Sequence, residues 1–187
     1  MTGIRSDGMT KRLDGTAHET RGLEAFVGVH HERLIRLAGL VCGDVASAED
    51  IVQTALERAW RSRRALQDDD RLRPWLDRIV VREAARERRF RLTWIARIVR
   101  APAVTEIDGP GRELADPSAS RIPERLSLRL ALEGLSVAQR AVIVLNLHAG
   151  YSIDETAELL GIPRDTVRSR LRSARELLRR ALEEGDR

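Results

Sequence analysis

The feature that most constrains this chain is the spacing of its apolar residues. They recur at steps of three and four, the period of a helix with one buried face, in two blocks separated by a stretch where the pattern vanishes. In the first block Leu23, Phe26, Val27, Leu34, Leu37, Ala38 and Val41 follow this rule, and Gly43-Asp44 interrupts it. Ser47, with Asp50 three residues on, has the form of a capping box opening a second helix to about Leu66, with Ile51, Val52, Ala55, Leu56, Ala59 and Trp60 inward. Asp68-Asp69-Asp70 breaks that helix, and Pro74 suits the first turn of a third, in which Leu76, Ile79, Val80 and Ala84 face the core. Between about Arg97 and Arg125 lie Pro102, Pro110, Pro117 and Pro123, four of the six prolines, together with Gly109 and Gly111. That texture predicts a linker. Helical periodicity returns from Leu126 to Leu182, with capping boxes at Ser136/Gln139 and Ser152/Glu155 and a helix end at Gly150. No alternating strand pattern of useful length occurs. The expectation is an all-α chain: a mobile tail over 1–21, a helical domain over 22–92, a flexible linker over 93–125, and a second helical domain over 126–187.

Composition narrows the function classes. Apolar residues form 42% of the 187, enough for real cores, while aromatics are only 3%, so those cores rest on Leu, Val, Ile and Ala. Lys+Arg of 33 against Asp+Glu of 29 gives a net charge of +4, too mild to identify a partner. The choice of base is more telling: Lys11 is the sole lysine, and arginine suits planar contact with phosphates and guanine edges. The single cysteine, Cys42, excludes an intramolecular disulfide and a CxxC zinc site, and its apolar setting reads as a small buried residue. No secretory signal core is visible before Arg21, and the longest uncharged run, Ala141 to Ile153, is too short to span a bilayer. A soluble cytoplasmic protein without membrane contact is expected.

The most informative segment runs from Ile153 to Leu171. Ala157 is small where two helices would cross, Gly161 follows at a tight turn that wants positive φ, and Val167 comes six residues later to pack the second helix on the first. These offsets are those of a DNA-binding helix-turn-helix, although a generic helical hairpin would share them. The second helix tips the balance toward the first. Seven arginines lie between Arg164 and Arg180 against Asp165 and Glu176, whereas an ordinary exposed helix mixes its signs more evenly. Once Val167, Leu171 and Ala174 are buried, the free face carries Arg164, Thr166, Arg168, Ser169, Arg172 and Ser173, residue types that bind phosphates and base edges. Pro163 stands where a Ser or Thr cap would be usual.

The first domain carries two faces of opposite character. Arg78, Arg82, Arg86 and Arg89 fall at steps of four, four and three on one side of the third helix, and the window Arg61 to Arg91 holds eleven arginines against six acids. The second helix instead presents Asp50, Gln53 and Glu57. Two such faces suggest nucleic acid on one side and a basic protein helix on the other. Enzyme signatures are weak. His30 and His31 are adjacent and point to different sides of a helix, the triple Asp reads as a solvated break, and no glycine-rich phosphate loop, HExxH or Ser/His/Asp set is present. No cofactor or metal is expected.

These residues resemble a known family. The run Ser47-Ala48-Glu49-Asp50-Ile51-Val52-Gln53 through Arg58-Ala59-Trp60 resembles a signature of the second conserved region of sigma factors, and Pro74 to Arg82 the helix after it. Leu135 to Leu178, with Gln139-Arg140 and Thr166 to Leu171, is similar to the fourth conserved region. The order, the short length and the lack of a third domain match the extracytoplasmic-function group of the sigma-70 family. The resemblance implies an initiation factor without catalysis of its own that binds bacterial RNA polymerase core at its clamp coiled coil and flap, and an anti-sigma protein is a further partner it admits. It implies a polymerase-facing surface at Asp50, Gln53 and Glu57, and a loop from Ser62 to Arg73 that captures a flipped base. It also implies contact of Arg78, Arg82, Arg86 and Arg89 with the −10 strand, and base reading in the −35 groove by Arg168, Ser169, Arg172 and Ser173. Arg82 stands where many relatives carry Asn, and Ser173 where Arg or His is common, so the promoter sequence stays open, as does the role of the long linker. The rival expectation is a dimeric helix-turn-helix regulator acting without polymerase.

Overall fold

A computed structural model describes residues 7–63, 66, 71–100, 128 and 130–185. Among these the chain is helical, without strands. The elements are α1 (Asp7–Cys42), α2 (Ala48–Ser62), α3 (Leu72–Arg100), α4 (Val137–Ile143), a π-helical turn (Val144–His148), α5 (Ile153–Leu160) and α6 (Arg164–Gly185), with a short helical stretch at 130–133 before α4. The prolines of the expected linker and the Asp68-Asp69-Asp70 break lie outside the described residues, as does half of the expected base-capturing loop.

In the first module α1, α2 and α3 pack on one another around Leu34, Leu37, Val41, Val52, Ala55, Leu76, Val80 and Val81, all essentially without solvent exposure. Each aliphatic side chain of this kind contributes about 1.5–3 kcal/mol when fully buried. The second module is built by α4, α5 and α6 around Val142, Leu145, Val167, Leu171 and Ala174. The two cores are continuous, because α3 touches both α4 and α5 while α1 touches α4 and the π-turn.

Three details differ from the sequence reading. The backbone is already helical at Asp7, inside the stretch expected as a tail; the first proline of the chain is Pro74, so nothing upstream forbids helix. The box at Ser47 does not form. Ser47 is itself helical (φ −82, ψ −9), and its hydroxyl donates to Asp44 at 2.5 Å instead of receiving the α2 amides. Finally α2 stops at Ser62, short of Leu66, whereas α3 runs on to Arg100 because no glycine or proline interrupts it after Pro74. The other two capping boxes are present in full: Ser136 and Ser152 each accept from the third-residue amide, and Gln139 and Glu155 return the bond.

Candidate nucleic-acid interface

Gly161 closes α5 in the left-handed region (φ 67, ψ 42), and its amide donates to the Ala157 carbonyl at 2.8 Å. That turn aims α6 across α5. Val167 and Ala174 are fully buried and Leu171 nearly so, fixing the helix about its own axis. The opposite face therefore points outward with Arg164, Arg168, Ser169, Arg172 and Ser173 exposed and Thr166 half-buried. Pro163 stands just before α6 and supplies the carbonyl that accepts from Val167 at 3.1 Å, so the helix starts without a side-chain cap. Light local pairing holds the face in place. Arg164 is paired with Asp154 of α5, Arg168 with Asp165 at 3.1 Å, and Gln139 of α4 donates to the Ser173 hydroxyl at 2.5 Å. Exposed pairs of this sort are worth at most about 1 kcal/mol, so they constrain the face only lightly. Arg175 was not singled out by sequence. It lies one turn beyond Arg172, bonds Asn146 at 3.4 Å, and lines the same surface groove as Arg168, Arg172 and Arg179. The steps of three and four from Arg168 through Arg172 and Arg175 were the available signal.

On α3 the side chains of Arg78, Arg82, Arg86 and Arg89 are all exposed on one side, while the intervening Val80, Val81, Ala84 and Ala85 are buried. Among the described residues only Arg86 of the four approaches an acid, Glu83 at 3.9 Å, and Glu83 is already held by Arg58 of α2. On α2, Asp50, Gln53 and Glu57 are exposed along the outer surface, with Glu57 paired to Arg61 at 3.2 Å. Asp50 also borders a groove between α2 and α3 that ends at the exposed ring of Phe90.

Arg140 and Arg88 are the buried cations that sequence reasoning missed. Arg140 of α4 is 2% exposed and donates to the Leu40 carbonyl, and Arg88 of α3 donates to the Cys42 carbonyl at 3.0 Å and to those of Glu133 and Leu135 at 3.3 and 3.4 Å. Both guanidiniums thus sit on the carbonyl end of α1, where the helix dipole favours positive charge. Burial, and then the neighbouring charge of Arg88, push the Arg140 pKa down to about 10.

A two-module helical DNA-binding protein, with an arginine-faced helix-turn-helix in one module and an arginine stripe in the other, is the class to which this arrangement points. Residues 26–94 match the model of sigma-70 region 2, and residues 125–178 match that of sigma-70 region 4. Over 177 residues the chain is 33% identical to the ECF RNA polymerase sigma factor SigL of Mycobacterium tuberculosis, covering 94% of this chain and 97% of that protein. It is 35% identical over 158 residues to SigM of the same organism, covering 82% and 73%. In fold it is similar to RpoE, solved in complex with the anti-sigma factor NepR from Bartonella quintana (TM-score 0.64, 23% identity, 86% and 96% of the two chains). It is likewise similar to CnrH, solved with the cytosolic domain of CnrY (TM-score 0.62, 23% identity, 92% and 94%). The chain belongs to the sigma-70 family, in its extracytoplasmic-function group, whose members direct promoter-specific transcription initiation.

Proposed function

We propose that the two modules divide the promoter between them. The module over 126–187 reads the −35 element through Arg164, Thr166, Arg168, Ser169, Arg172 and Ser173, and the module over 22–92 holds the −10 strand along Arg78, Arg82, Arg86 and Arg89. Asp50, Gln53 and Glu57 face RNA polymerase core. The observation that carries this reading is the α6 face: three exposed arginines and two exposed serines on the side opposite the buried seam of Val167, Leu171 and Ala174. Arginine in this position can bind guanine O6 and N7 bidentately, each good pair worth about 1–3 kcal/mol of discrimination.

The chain lends specificity and catalyses nothing. Neutralised phosphates release counterions and give affinity that falls with salt, while base contacts choose the site. Extruding each base from the duplex costs a few kcal/mol, which the contacts of two small modules with free promoter do not offset, so docking on polymerase supplies the remainder. The working compartment is the cytoplasm, where the polymerase is; among the described residues no helix is long and apolar enough to cross a membrane. The likeness to RpoE, solved with the anti-sigma factor NepR, and to CnrH, solved with the cytosolic domain of CnrY, supports a partner of the anti-sigma kind as well.

Fluorescence anisotropy of a labelled promoter tests the reading. With core polymerase the complex is tight and sequence-dependent; with the chain alone it is weak. Equally tight, two-fold-symmetric binding by the chain alone would replace this reading with a dimeric regulator.

A further inference from the structure

Asp77 is the least expected residue of the first module: a carboxylate with no solvent exposure on the helix that carries the arginine stripe. Its partners come from both modules. Arg33 of α1 donates two bonds, Nη2 to Oδ1 at 2.6 Å and Nη1 to Oδ2 at 2.9 Å. The Tyr151 hydroxyl, from the loop before α5, donates to Oδ2 at 2.8 Å. The second module is shaped to deliver that hydroxyl. The π-turn ends with Ala149 bonded to Val144, Gly150 takes positive φ (81), the Tyr151 amide donates to Leu145 at 3.0 Å, and Asn146 donates to the Tyr151 carbonyl at 2.8 Å. A widened turn of this type is often found where a local geometry is put to use. Around the ring, Arg73 lies 5.7 Å from its centroid and donates to the Ala149 carbonyl at 3.0 Å. At the other end of the contact Arg140 and Arg88 close over the carbonyls of α1, and Arg82 reaches to within 3.8 Å of where a side chain at Gly161 would begin.

This arrangement has a geometric consequence, which rests on the two-box reading proposed above. The −35 and −10 elements are centred about 25 base pairs apart, about 85 Å along a duplex rising 3.4 Å per pair. Here Arg82, on the −10 stripe, lies against the turn that opens α6, and the reading positions from Arg164 to Ser173 extend only about 15 Å along the helix beyond it. The two reading faces are therefore within about 30 Å of each other, and this form cannot hold both boxes. The contact that keeps it closed is polar at its centre. A buried polar network is costly when half-satisfied and firm when complete.

We propose that Tyr151, seated on the Asp77–Arg33 pair, is an interdomain latch that holds the chain in a closed form, and that promoter engagement requires this latch to open. The Asp77–Arg33 pair lies wholly within the first module and survives opening, so the carboxylate is never left without its cation. Opening exchanges for water the Tyr151 bond, the flanking Arg73 contact, the Arg140 bond to Leu40 and the Arg88 bonds to Glu133 and Leu135, and it parts the apolar packing of α1 and α3 on the second module. Of these, Tyr151 is the contact that a single hydroxyl controls without touching the buried pair.

The test uses the full chain with Cys42→Ala in every protein and dyes on two exposed positions, Thr93→Cys in the first module and Glu158→Cys in the second, read by single-molecule energy transfer. The reference protein gives a dominant short-distance population. Tyr151→Phe keeps the ring and removes one hydrogen bond to a charged group, and the open-to-closed ratio rises about 10-fold. Arg73→Ala, an exposed change that leaves the buried pair intact, shifts the ratio in the same direction by less. A reference chain already extended, or a distance distribution that neither substitution moves, overturns the latch. Distances that shift as expected, in a chain whose holoenzyme recognises no promoter, uphold the latch and overturn the two-box reading instead.

Discussion

Substituting the glycines of this fold one at a time gives opposite signs at defined positions. Gly161 has φ 67, and a Cβ built there would meet only Arg82 at 3.8 Å, ordinary van der Waals contact. The penalty of Gly161→Ala is therefore a backbone penalty, about 1–2 kcal/mol for an L-residue in the left-handed region. Against it stands a gain of about 0.4–1 kcal/mol from the less free unfolded chain. The net loss is about 0.5–1 kcal/mol, a fall in Tm of about 1–4 °C for a chain of this size. Gly150 (φ 81, open space around it) should respond alike. Gly28 lies inside α1, also with open space and no positive φ, so Gly28→Ala should raise Tm by about as much, since alanine replaces glycine in a helix interior at a gain of about 0.5–1 kcal/mol. Gly43→Ala should be the worst of the four, because φ is 81 and its Cβ would collide with the Arg88 guanidinium and press on Arg140 at 3.2 Å. Thermal unfolding followed by circular dichroism ranks them. A rise in Tm for Gly161→Ala, or a fall for Gly28→Ala as large as that for Gly161→Ala, would refute the reasoning.

Three further outcomes are expected. Arg168→Ala should lower promoter affinity and reduce the slope of log K against log salt by about one if the side chain binds phosphate; titrations across salt check it, and an unchanged slope with altered sequence preference would assign the arginine to a base. Asp50→Ala and Gln53→Ala should weaken binding to core polymerase, measured by surface plasmon resonance, and leave affinity for free DNA unchanged; an equal loss of DNA affinity contradicts the assignment of faces. Burial, then the charges of Arg36 and Arg33, hold the His148 pKa below its ordinary value. The unfolded chain therefore binds this proton first, and stability should decline as pH falls below about 6.5. In urea unfolding at several pH values, His148→Gln should flatten that decline, and an unaltered pH profile counts against it.

The helical modules were legible because apolar spacing and backbone punctuation report directly on helices. Val167, Leu171 and Ala174 are buried as their positions demand, and Gly161 has the positive φ its place between two helices requires. The exposed α6 and α3 faces could be read for the same reason, each being the complement of a buried stripe. What escaped was set by tertiary partners distant in sequence. Asp77 looks like any polar residue in a basic helix, and its burial follows only from Arg33 forty-four residues before it and Tyr151 seventy-four after. Arg140 and Arg88 were hidden among many arginines, because nothing local marks a guanidinium bound for the carbonyls of another helix. Ser47 shows the converse error: a capping motif present in sequence is bypassed when Asp44 takes the hydroxyl first.

Run-off transcription with purified core polymerase, the chain and a library of genomic fragments asks whether this chain gives RNA polymerase its promoter address through two separate faces. Transcripts should start at a small set of sites sharing two boxes at fixed spacing, and should be lost when either box is scrambled. Initiation no different from that of core polymerase alone would contradict this reading.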